Sequence, residues 1–126
     1  MKIIRKKELE QATPFIAPLW EEIFEMFWKK EELGRATNHS LATVILYPWK
    51  CSPKHYHKIS EEIYYVLSGK AIIVIDNEEY TLTKNDSCLI MPGDVHQIFN
   101  YSNNKVEFLV TSAPARNPTD TYEKII

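Results

Sequence analysis

The sequence predicts an all-β fold of the sandwich, jelly-roll or barrel kind, on two observations. Short β-branched and apolar runs recur at regular spacing from Ser40 onward, and residues that favour turns close each one. Leu41 to Tyr47 is the first run, stopped by Pro48. Ile63 to Leu67 is stopped by Ser68-Gly69, and Ala71 to Ile75 is the third. Asp76-Asn77 after it is a hairpin signal, because Asn tolerates the positive φ of a tight primed turn. Tyr80 to Leu82 leads into the turn Lys84-Asn85-Asp86, and Ser87 to Met91 ends at Pro92-Gly93. His96 to Asn100 turns at Ser102-Asn103-Asn104, and Val106 to Thr111 ends before Pro114. The polar tail beyond Pro114 is expected to lie over the surface.

The N-terminal third is less regular. Pro14 and Pro18 break any helix before Trp20. From Trp20 to Leu33 two periods compete. Trp20, Ile23, Phe24, Phe27 and Trp28 fit helical spacing with charges between them, so pattern alone favours an amphipathic helix. Ile23 to Trp28 is also an aromatic run that suits a strand. Gly34 ends the segment on either reading.

Composition bounds the function. A chain of 126 residues reads as one domain with a single core. The strands place a barrel at 40–113, after an extension at 1–39 and before a tail at 114–126. Fifteen Lys and Arg against seventeen Asp and Glu give a net charge of −2, which argues against a nucleic-acid partner held by charge. No apolar run approaches the roughly 20 residues of a membrane span. The basic start, Met1 to Lys7, lacks the apolar stretch of a signal peptide. Cys51 and Cys88 are too few for a disulfide framework and read as reduced thiols, which points to a cytoplasmic protein.

The chemistry-bearing residues cluster. In a strand, residues i and i+2 share a face, so His55 and His57 of His55-Tyr56-His57 project side by side. A turn through Lys58-Ile59-Ser60 folds Glu62 back towards them. In a closed barrel the strand opened by His96 lies beside the first. Three neutral nitrogens and one carboxylate oxygen suit a divalent transition metal and leave coordination positions open. An isolated histidine pair on a strand is common and proves little; the combination carries the reading. His39 reads as a surface residue.

The combination also resembles a known family. Residues 55–69, HYHKISEEIYYVLSG, are similar to the first motif of the cupins: H-x-H, a spacer, Glu, six residues, Gly. Residues 85–100, NDSCLIMPGDVHQIFN, are similar to the second, with Gly93, His96 and Asn100 in register. The resemblance covers about Ser40 to Thr111. Trp49 stands where the first motif usually begins with Gly, Asn85 replaces the Gly that opens the second, and Met91 replaces its Pro. Asn is the next residue able to adopt a left-handed turn, so that turn is expected to survive.

The resemblance implies a small cupin, a double-stranded β-helix or jelly-roll barrel, with His55, His57, Glu62 and His96 as metal ligands. The metal would be a divalent transition ion (Mn, Fe, Ni, Zn or Cu). It also implies that Glu22 to Trp28 is a strand used in homodimer contacts, against the helix that periodicity favours. Strand alternation turns Tyr64, Val66, Ile98, Asn100, Ala71, Ile73, Ile75 and Phe108 inward. A mostly apolar small-molecule pocket follows, with Tyr64, Ile98 and Phe108 in its wall and the Tyr64 hydroxyl as its polar handle. No general base is assigned. The functional expectation is a metal-dependent enzyme of the isomerase, dioxygenase or decarboxylase type; the alternative is a non-catalytic sugar- or metabolite-binding module.

Overall fold

A computed structural model of the chain describes residues 1–28 and 33–124. A short helix, α1 (Lys6–Gln11), precedes twelve strands: β1 (Phe15–Ile16), β2 (Glu22–Trp28), β3 (Gly34–Arg35), β4 (Ser40–Leu46), β5 (His55–Tyr56), β6 (Glu61–Ser68), β7 (Ala71–Ile75), β8 (Glu78–Leu82), β9 (Ser87–Ile90), β10 (His96–Phe99), β11 (Val106–Ala113) and β12 (Tyr122–Glu123). They form two sheets. One runs β1-β2-β4-β11-β6-β9, with β3 added beside β2; the other runs β12-β5-β10-β7-β8. The inward faces of both meet in one core of Val44, Leu46, Val66, Ile73, Ile98 and Phe108 among others. This is the double-stranded β-helix expected from the sequence.

The turn residues act as read. Asp76 and Asn77 both have positive φ (48° and 71°), which makes the β7–β8 hairpin a primed turn matched to strand twist. Asn85 and Trp49 keep the left-handed conformation at positions where glycine is usual in the motifs, with φ of 71° and 64°. Gly69 cannot be replaced: its φ is +87°, and a Cβ would lie 2.7 Å from the Lys105 carbonyl oxygen. Asn100 is fully buried and donates to the carbonyls of Leu46 and Asn104 (2.9 and 2.8 Å), tying the turn after β10 to β4.

Residues Glu22–Trp28 are a strand, as the resemblance implies and against the helix that periodicity alone favours. β2 has a bulge between Glu25 and Phe27 and is covered to some degree on both faces, so its apolar residues do not alternate and mimic a helical stripe. The part of that stretch at 29–32 lies outside the described residues. Gly34 does not end the segment. It sits in β3, parallel to β2, where a Cβ would come within 2.6 Å of the Phe27 ring. The tail lies over the surface and is anchored there: Pro118–Asp120 forms a 3-10 turn, β12 pairs with β5, and Asp120 is buried.

Candidate metal centre

Each of the four residues is delivered by a different piece of backbone at one end of the barrel. His96 opens β10 directly opposite His55 of β5. Glu62 lies on β6 opposite Ser112 of β11, whose hydroxyl donates to Glu62 Oε2 at 3.0 Å. His57 follows β5 in the loop that returns the chain to β6. The site therefore joins the two sheets. One ligand atom from each of His55, His57, Glu62 and His96 lies within 4.8 Å of all the others. Two ligands about 2.1 Å from one ion stand about 3.0 Å apart at right angles and about 4.2 Å apart in trans, so small side-chain movements suffice to close this set on a cation.

Hydrogen bonding fixes which nitrogens face inward. His55, His57 and His96 direct Nδ1 at the backbone carbonyls of Pro53, Asp120 and Asp94, at 2.7, 2.9 and 2.9 Å. A carbonyl only accepts, so Nδ1 carries the proton and each Nε2 presents a lone pair to the site. His57 Nε2 then meets Glu62 Oε1 at 3.0 Å and His96 Nε2 meets it at 3.5 Å. These are acceptors facing an acceptor, all buried and without a donor. Such an arrangement is repulsive unless a cation lies between them, and a divalent metal fits. A proton is the smaller substitute. Burial opposes charge on His57, but the Glu62 carboxylate outweighs it and raises the imidazole above its usual value. Glu62 is buried too, which raises a carboxyl, but His57 and then His96 overcome this and hold it well below the carboxylate range. His55 is pushed down to about 4, first by burial and then by His96, and stays neutral.

His55, His57 and Glu62 form one wall of a cavity of about 290 Å³, and His96 stands behind them. β4 and β11 contribute Ala42, Val44 and Val110 to its lining, and Tyr64 joins them from β6. Ile98 and Phe108 do point inward, but they are fully buried in the packed core and do not line this cavity. Around Ile98 and Phe108 the barrel interior is filled by side chains, and the cavity beside the histidines lies at the barrel's end. His39 is exposed.

The rest of the lining comes from segments outside the two motifs. From the N-terminal hairpin come Phe15, Glu21 and Glu25, and from the tail come Arg116, Thr121 and Glu123. Glu21 is 6% exposed. Burial, then the charge of Glu62, raises its carboxyl to about 7 against the pull of Arg116. Sequence reasoning assigned no carboxylate here, because Glu21 lies in the stretch whose period looked helical. Arg116 contacts Glu25 at 3.1 Å.

The tail also supports the ligands. The Asp120 carboxylate accepts from the backbone N–H groups of Lys58, Ile59 and Ser60 at 3.0–3.2 Å, capping the loop between His57 and Glu62. Its own carbonyl orients His57. Tyr122 stacks on Tyr56 at 5.4 Å, and Lys58 lies over the Tyr122 ring at 4.2 Å.

Residues 43–112, which carry the barrel and all four converging side chains, match the family model described as the cupin domain, Cupin_2. The chain is a cupin. This cupin is 33% identical over 121 residues to an uncharacterized protein of Methanocaldococcus jannaschii, covering 96% of this chain and 94% of that one. It is 26% identical to the β-D-galactosidase of Mycobacterium tuberculosis over 90% of this chain and 94% of the relative. Among solved structures it is similar to a predicted oxalate decarboxylase of Thermotoga maritima, with a TM-score of 0.75 and 23% identity over 89% of this chain and 98% of that one. That last likeness concerns the fold alone. Among the described residues no helix is long and apolar enough to cross a membrane.

Proposed function

We propose that this cupin is a metal-dependent enzyme acting on a small, uncharged organic molecule, with His55, His57, Glu62 and His96 holding a divalent transition metal. The observation that carries the reading is the convergence of three imidazoles and one carboxylate oxygen beside a ligand-sized cavity that His55, His57 and Glu62 line. A bound ion there supplies Lewis-acid polarisation of a substrate oxygen.

The lining supports the absence of charge on the substrate. Arg116 is the one Lys or Arg among the described lining residues, and Glu25 holds it at 3.1 Å. A dication set against Glu62 leaves one positive charge, which with Arg116 balances Glu25 and Glu123, and Glu21 adds no more than one negative charge. Such a cavity disfavours a dianion such as oxalate and suits a neutral, oxygen-bearing molecule such as a sugar. Of the relatives, the β-D-galactosidase is the one whose name agrees with this lining.

Elemental analysis of the purified protein tests the centre. Wild type is expected to carry stoichiometric metal and His57→Ala none. Glu62→Gln is expected to weaken binding, while Glu61→Gln, on the exposed face of β6, leaves it intact. Equal metal content in wild type and His57→Ala rejects the assignment.

We further propose that the protein is a homodimer through its N-terminal hairpin. Phe15, Ile16, Leu19 and Trp20 are 42–64% exposed there, on and beside the edge strand β1.

A further inference from the structure

We propose that Glu21 is the acid–base residue of this site, exchanging a proton with an uncharged hydroxycarbonyl substrate seated between it and the metal ligands. The assignment deepens the enzymatic reading above and rests on it.

Position comes first. Glu21 lies on the N-terminal hairpin, outside the matched barrel, yet it lines the same cavity as His55, His57 and Glu62. Its side chain is buried, with the like charge of Glu62 opposing its ionisation and Arg116 favouring it. A carboxyl buried beside another carboxyl is costly for stability, so its presence in this cavity has a functional rationale.

The backbone that delivers it is strained. Ala17 O accepts from Trp20 N at 3.0 Å, and Ala17 N donates to Glu21 O at 2.9 Å. The tight turn this closes has Pro18 followed by Leu19 and Trp20, at φ of 73° and 76°. A left-handed residue after Pro is the place for glycine, and here two large side chains occupy such conformations in succession. The strained turn leads directly into Glu21.

Elimination supports the same residue. Nδ1 of each ligand histidine is bound to a carbonyl and each Nε2 faces the metal position, so no imidazole nitrogen is left for substrate. Burial keeps the Tyr64 phenol protonated. Glu25 is engaged with Arg116, and Glu123 sits exposed on β12. Glu21 remains, with its carboxyl raised to about 7, chiefly by burial. That cause persists when a cation neutralises Glu62, and a carboxyl near neutrality both takes and gives a proton.

The step balances without an added oxidant or reductant. The C–H bond beside the substrate carbonyl breaks, its proton passes to a Glu21 oxygen, and the electron pair moves into the carbonyl as an enediolate. For exchange, Glu21 returns a proton to the same carbon and the carbonyl re-forms; for isomerisation, the hydroxyl proton of the first carbon passes to the former carbonyl oxygen and Glu21 protonates the neighbouring carbon, so that the new carbonyl stands on the first.

The test is solvent deuterium incorporation by the metal-loaded protein into neutral hydroxycarbonyl probes (dihydroxyacetone, D-xylose and D-galactose), followed by NMR. Wild type is expected to label the carbon beside the carbonyl, and Glu21→Gln to do so at least about 100-fold more slowly at saturating probe. Metal content and probe affinity should be unchanged in Glu21→Gln. A second readout is independent of turnover. In protein carrying ¹³C-labelled glutamate, one carboxyl resonance titrating well above the ordinary glutamate range should be present in wild type and missing from Glu21→Gln. Labelling retained in Glu21→Gln to within about threefold overturns the role of Glu21 and leaves the enzymatic reading standing. No labelling by fully metal-loaded wild type overturns both. The absence of that resonance from wild type removes the acid–base assignment on its own.

Discussion

Asp120→Ala separates a metal centre built by the motifs alone from one that depends on the tail. The wild-type carboxylate accepts from three successive N–H groups, Lys58, Ile59 and Ser60, in the loop between two ligands. Hydrogen bonds to a charged group contribute roughly 1.5–3 kcal/mol each, but the N–H groups of Lys58 and Ile59 regain water when the carboxylate is removed. Ser60 is 6% exposed and its N–H does not. The net loss of folding stability is therefore about 3 kcal/mol, well below the sum of the contacts. Residue 120 keeps its carbonyl in the variant, so His57 retains its acceptor, and metal affinity falls through loosening of the loop, by about 10- to 100-fold. Denaturant unfolding of metal-free protein measures the first quantity, and chelator competition for Zn²⁺ or Co²⁺ measures the second. Asp120→Asn, with one acceptor oxygen, should fall between. An unchanged unfolding midpoint together with wild-type metal affinity in Asp120→Ala refutes the dependence of the loop on Asp120.

Three further outcomes follow from the same geometry. Because the Glu21 carboxyl is raised from 4.5 to about 7, its contribution to stability is complete at acid pH and is lost as pH rises across that interval. Glu21→Gln should then be more stable than wild type above neutrality, by about 2 kcal/mol, and superimposable pH–stability curves contradict this. His55 is shifted the other way, so in metal-free protein its contribution is present above 6.5 and is lost as pH falls towards about 4; a His55→Asn variant that keeps the same acid limb argues against it. For the hairpin surface, analytical ultracentrifugation at micromolar concentration should show a dimer that Trp20→Ala weakens, and a wild-type monomer removes the interface.

The barrel strands were legible because local chemistry marks their ends. Pro48, Ser68-Gly69, Asp76-Asn77 and Pro92-Gly93 each stop a run where the chain turns, and alternation on β6 and β10 assigned Tyr64, Val66 and Ile98 to the interior, where they are buried. The four converging side chains were legible only in part for the same reason: H-x-H places two imidazoles together within the chain, whereas Glu62 and His96 joined them through an assumed closed barrel and the resemblance to the cupin motifs. For β2 the period alone pointed to a helix, because a bulged strand covered on both faces loses the period of two, and the resemblance pointed to the strand that forms.

The linear chain thus determined the turns, the alternation and the H-x-H pair, all properties set within a few residues of each other, and its motifs named the four converging side chains. Tertiary structure alone decided what surrounds them. Asp120 reaches its loop across some sixty positions, and Glu21 meets Glu62 in one cavity only because an N-terminal hairpin packs across the open end of the barrel. No local pattern encodes such meetings, because a carboxylate in a polar stretch has the same sequence signature whether it faces water or is buried; burial, which sets its charge and its chemistry, is a property of the assembled fold.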